Sequence, residues 1–61
     1  MLNLKLERVK KDLTQGKLAE KAGVVRQTIS NIECGLTKPS VNLAKKLGEI
    51  LEIEWTNFFD D

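Results

Sequence analysis

Apolar residues recur at three- and four-residue spacing in five segments of this 61-residue chain. That period belongs to one face of a helix, so the pattern predicts an all-α protein of short helices. The first helix is expected from about Asn3 to Asp12, with Leu2, Leu6, Val9 and Leu13 on one stripe and Lys5, Lys10 and Lys11 outside. Leu2, Leu4 and Leu6 also alternate as in a strand, which leaves an extended start as the alternative. The second helix opens with Thr14 as N-cap and ends at Ala22. Leu18 and Ala22 share a face, and Ala19 is small enough for another helix to cross closely. Gly16, near its start, costs up to about 1 kcal/mol relative to alanine. Gly23 turns the corner, and the third helix follows from about Arg26 to Cys34, with Val25 at its N-cap position. Ile29 and Ile32 return its apolar face to Leu18 and Ala19. The fourth helix follows Pro39, is capped by Ser40 and presents Val41, Leu43, Ala44, Leu47, Ile50 and Leu51. The fifth is short, about Glu54 to Phe59. Its Trp55, Phe58 and Phe59 suit either a lid on the core or a contact with a second copy.

Two short amphipathic helices joined by one glycine make a helix-turn-helix. An ordinary helical hairpin would bury the same leucines and alanines, so the outer face is what separates the two readings. A face that only meets water is commonly built from Glu and Lys, which are good helix formers. This one carries Arg26, Gln27, Thr28, Ser30 and Asn31, several of them poorer formers. All five hydrogen-bond, and they are the residue types that read base edges in the major groove. Arg reaches guanine O6 and N7, Gln or Asn reaches adenine N6 and N7, and Thr offers its methyl to thymine.

The net charge of +1 looks unsuited to a nucleic-acid partner until it is followed along the chain. All ten basic residues lie at or before Lys46, against four acidic ones, Glu7, Asp12, Glu20 and Glu33. After Lys46 the chain carries only acids: Glu49, Glu52, Glu54, Asp60 and Asp61. Chance distribution of solvated charge is the plain alternative. The functional reading is a positive field over the N-terminal three-quarters and an acidic end turned away from phosphate.

Sixty-one residues suffice for one domain, 1–61, near the lower edge of independent stability, with no room for an effector domain. Two Phe, one Trp and no Tyr require an aliphatic core. No segment approaches the roughly 18 apolar residues of a membrane span, and no signal-peptide pattern opens the chain, so a cytoplasmic location is expected. No enzyme is expected. The chain has no His to act as a base, Cys34 lacks a base partner, and no carboxylate pair, glycine-rich phosphate loop or acidic metal cluster stands out. Neither a cofactor nor a metal nor a small-molecule effector is implied. The single cysteine, Cys34, reads as a reduced bystander, with a thiol switch as the alternative. A module that binds another protein, as an antitoxin or anti-repressor does, is the competing function. An apolar outer face on the third helix would have favoured it, and that face is polar.

The run Leu13-Thr14-Gln15, Leu18-Ala19, Gly23-Val24, Arg26-Gln27-Thr28-Ile29-Ser30, Ile32-Glu33, Gly35 and Pro39-Ser40 resembles the Cro/CI-type (XRE-like) family of phage and bacterial repressors, over nearly the whole chain. The resemblance implies a compact five-helix, lambda-repressor-like DNA-binding domain with the helix-turn-helix at helices 2 and 3. It implies that Arg26, Gln27, Thr28 and Asn31 read bases of double-stranded DNA. Gln15 would bond a phosphate and buttress the reading residues, and Lys17, Ser30, Lys38 and Ser40 would meet the DNA backbone. Arg8 of the first helix would pair with Glu33 at the end of the third. Three positions depart from the family pattern: Gly16, Val25 where Ser or Thr is usual, and Cys34 where a polar residue is usual. The small core and the aromatic C-terminal segment lead us to expect a two-fold homodimer with contacts from Ile53, Trp55 or Phe58.

Overall fold

The computed structural model describes residues 2–59. Asp60 and Asp61, counted above in the acidic end, lie outside the described residues. Four α-helices follow in order, α1 (Leu4–Lys10), α2 (Gln15–Ala22), α3 (Arg26–Glu33) and α4 (Val41–Leu51), and a 3-10 helix closes the chain at Trp55–Phe59. The described residues contain no strand.

The helix starts follow local chemistry. Asn3 Oδ1 accepts the Leu6 N–H at 3.0 Å, Thr14 Oγ1 accepts that of Lys17 at 3.0 Å, and Ser40 Oγ accepts that of Leu43 at 3.2 Å. Each satisfies an amide that the first turn leaves orphaned. Only Val25, before α3, supplies no side-chain cap. The helix ends share one device. After each α-helix a residue takes the left-handed conformation, namely Asp12, Gly23, Gly35 and Glu52. The N–H after it then reaches back five residues: Leu13 to Arg8, Val24 to Ala19, Leu36 to Asn31 and Ile53 to Gly48, at 2.9–3.2 Å.

The core is aliphatic, as the composition requires. Leu4, Leu18, Ala19, Ala22, Ile29, Ala44, Leu47 and Leu51 are buried, and Leu13, Val24, Ile32, Leu43, Ile50, Ile53 and Phe58 pack partly against that cluster. Helices α2 and α3 pack against each other, with Ala19 and Ala22 among the buried residues of α2.

Three expectations need correction. The stripe Leu2, Leu6, Val9 and Leu13 is not the inner face of α1: Leu6 is 51% and Val9 52% exposed. The inner face is Leu4 and Arg8, one turn apart, because the helix rotates to bring the Arg8 guanidinium to Glu33. Val41 is half exposed at the open N-terminal end of α4 rather than part of its buried face. The fifth helix is 3-10, not α. It has five residues, among them Thr, Asn and three aromatics, too few and too poor as formers to sustain an α-helix alone. It is drawn against α4 so closely that a Cβ on Gly48 would lie 2.9 Å from the Ile53 carbonyl oxygen and 3.0 Å from Trp55 Cβ.

Candidate nucleic-acid interface

Glu33 is the centre of a hydrogen-bond network that reaches Arg26 at the start of α3. Arg8 Nε donates to its Oε2 at 2.7 Å and an Arg8 terminal nitrogen to its Oε1 at 3.3 Å, while the other terminal nitrogen donates to the Leu13 carbonyl at 2.8 Å. Gln15 Nε2 donates to the same Oε1 at 3.0 Å. The Gln15 amide oxygen in turn accepts from Arg26 Nε at 3.3 Å. One carboxylate thereby ties α1, the turn before α2, the first residue of α2 and, through Gln15, the first residue of α3.

The Arg8 and Glu33 side chains are only 10% and 5% exposed, so the pair is desolvated. Burial alone raises the pKa of the Glu33 carboxyl. The hydrogen bonds from Arg8 and Gln15, with the charge of Arg8, lower it by more, and the carboxyl sits below the usual glutamate value.

Of the five residues read as outward on α3, Arg26 and Gln27 are exposed, whereas Thr28, Ser30 and Asn31 are half buried. Gln27 Nε2 donates to Asn31 Oδ1 at 2.9 Å, one turn along, so the two amides hold each other in orientation. Lys17 is exposed and lies 3.2 Å from Glu20. Lys38 is exposed in the loop before α4, and the exposed Ser40 uses its hydroxyl as the α4 cap. The structure thus gathers Arg8, Gln15, Arg26 and Glu33 into one network and Gln27 with Asn31 into a second.

Ile53, Trp55 and Phe58 lie at the opposite end of the sequence, all half buried. Ile53 and Phe58 pack on the core, and Trp55 carries the Lys45 ammonium 5.3 Å from its ring centre and meets Phe59 edge-on at 6.3 Å. The link from Arg26 to Gln15 was only foreshadowed in the sequence by the idea of a buttress. The exposed apolar side chains of Val25 and Leu36 were missed, because periodicity assigns faces only inside helices. Among the described residues no group of three metal-ligating side chains occurs, and no helix is long and apolar enough to cross a membrane.

Residues 4–58 match the helix-turn-helix family. Over 58 residues the chain is 45% identical to the uncharacterised HTH-type transcriptional regulator YqaF of Bacillus subtilis, which covers 95% of this chain and 76% of that protein. It is 43% identical over 56 residues to an uncharacterised HTH-type transcriptional regulator of Methanocaldococcus jannaschii, covering 92% of this chain and 85% of the relative. The N-terminal DNA-binding domain of SinR from Bacillus subtilis superposes with a TM-score of 0.82 at 32% identity, covering 95% of this chain and 86% of that one. The chain belongs to the helix-turn-helix family of transcriptional regulators, a family of DNA-binding proteins and not of enzymes.

Proposed function

We propose that residues 1–61 act as one DNA-binding domain in the cytoplasm, a sequence-specific regulator that represses by occupying a pseudo-palindromic operator. The observation that carries this reading is the pre-oriented polar face of α3, with Arg26 held by Gln15 and Gln27 held by Asn31. Side chains already fixed lose little conformational freedom on meeting a base, which favours discrimination over loose attraction. In this reading Arg26, Gln27, Thr28 and Asn31 address base edges in the major groove. Gln15, Lys17, Ser30, Lys38 and Ser40 address phosphates and set the register.

A homodimer completes the proposal. The half-buried Ile53, Trp55 and Phe58 stand among acidic residues that repel phosphate, and their apolar surface is what a second copy would cover. Two copies of α3 about 34 Å apart would reach successive major grooves on one side of the duplex. A solved complex of SinR protein with SinI protein also superposes, with a TM-score of 0.83 at 32% identity, covering 95% of this chain and 57% of that one. A protein partner is the second reading, and the polar outer face of α3 supports DNA over protein as the target of that helix.

Selection from random duplexes followed by titration tests the whole reading. The expected product is a pseudo-palindrome with half-site centres about one helical turn apart. Gln27→Ala should relax preference at one or two base positions by about 1 to 3 kcal/mol and leave non-specific affinity nearly unchanged. Lys38→Ala should weaken operator and scrambled duplex alike and flatten the salt slope by about one unit. Equal loss on both duplexes for Gln27→Ala would mean that α3 does not read bases.

A further inference from the structure

Three of the four α-helices begin with a residue whose side chain caps the first turn: Asn3, Thr14 and Ser40. The helix assigned to the groove begins with Val25, which makes no side-chain cap bond and is 69% exposed. Its backbone is extended, at φ −80° and ψ 155°, so it and its predecessor diverge: Val24 packs on the core and Val25 stands out in water. The side chain therefore neither caps the helix nor fills the core. Inside the protein, serine or threonine would serve better at this position.

Val25 immediately precedes Arg26, which is exposed and oriented by Gln15. Neighbouring Cα atoms are about 3.8 Å apart, close to the roughly 3.4 Å rise between stacked base pairs. Two consecutive exposed residues at the start of a helix lying in the groove therefore stand within about one base-pair step of each other, with their side chains directed apart. On the major-groove edge, the apolar feature that a branched alkyl group can meet is the C5 methyl of thymine. Thr28, the residue that the sequence nominates for such a methyl, is half buried, whereas Val25 is open.

We propose that Val25 is a specificity-determining residue that packs on the 5-methyl group of a thymine next to the base pair held by Arg26. This rests on the DNA-reading function proposed above. Thymine and uracil differ at this edge only by the methyl, so the test replaces each operator thymine in turn by deoxyuridine. A replacement in one half-site should weaken wild-type binding about fourfold, the factor that burial of one methyl-sized group carries, and the same replacement in both half-sites about sixteenfold. Val25→Ser should lose that sensitivity and bind the two operators equally. It also gains a helix cap, so it should fold at least as well as the wild type, and Val25→Ala provides a second uncapped variant expected to lose most of the sensitivity. A selected operator without thymine at such a step, wild-type binding indifferent to every replacement, or undiminished sensitivity in Val25→Ser would overturn the inference alone. Failure to select any sequence would overturn the DNA-reading function and this inference with it.

Discussion

Around Glu33 the elements are joined by side-chain hydrogen bonds to one desolvated carboxylate, whereas around Gly48 one backbone bond, from Ile53 N–H to the Gly48 carbonyl, is joined by van der Waals contact with no room for a methyl group. The first arrangement orients Arg26 at the start of α3 and the second holds the aromatic 3-10 turn. Directional bonds fix where a side chain points, which a reading surface needs. Close backbone packing fixes only how near two elements come, and a scaffold needs no more. The difference predicts that disturbing Glu33 disorders the interface as well as the fold, while disturbing Gly48 lowers stability and leaves the orientation of Arg26 and Gln27 intact.

The largest effect should come from Glu33→Ala. It strands the Arg8 guanidinium in a largely buried site and should cost about 3 to 5 kcal/mol in denaturant melts. Arg8→Ala and the double variant complete a cycle, and strictly additive, small effects would remove the pair as a structural element. Acidity sharpens the point. Because the folded carboxyl sits below its ordinary value, its contribution is full above about pH 4.3 and is lost as the pH falls through that value towards the folded one. The stability gap between wild type and Glu33→Gln should therefore narrow between pH 5 and pH 3, and a gap independent of pH would contradict the linkage.

Gly48→Ala comes next. Alanine is the better helix former by about 1 kcal/mol, yet its Cβ would press on the Ile53 carbonyl and Trp55, so a net loss of roughly 1 to 3 kcal/mol is expected. Trp55 fluorescence should shift as the turn moves, with DNA affinity unchanged once the fraction folded is allowed for. A stabilised variant would show that the contact is loose and the contrast with Glu33 overstated.

The smallest effect, of opposite sign, is expected at Glu52. It ends α4 at φ 58°, a left-handed conformation that favours glycine, and its carboxylate lies 3.0 Å from the exposed Lys11 ammonium. Glu52→Gly relieves the backbone and gives up a surface ion pair of little value, for a net gain of roughly 0.5 kcal/mol. A thermal melt decides it, and a clear loss of stability would show that charge also holds this end of the molecule.

Local chemistry made much of the fold legible. Leu18, Ala19, Gly23, Val24 and Ile29 lie within a dozen residues of one another, and a helix period plus one left-handed glycine is enough to place them. The caps at Thr14 and Ser40 are legible for the same reason, since each depends on an amide three residues away. The exposed positions Arg26 and Gln27 of α3 follow once its inner face is known, whereas the half burial of Thr28, Ser30 and Asn31 does not. Tertiary structure decided which way each face turns towards its distant partners. The apolar stripe misnamed the inner face of α1 because a hydrogen bond spanning 25 residues outweighs the burial of Leu6 and Val9 and turns Arg8 inward. The 3-10 form of the last helix depends on how near it lies to Gly48, which is set by packing and not by its own five residues. Periodicity records which residues share a face, whereas the direction of that face is settled by the free energy of the whole packed chain.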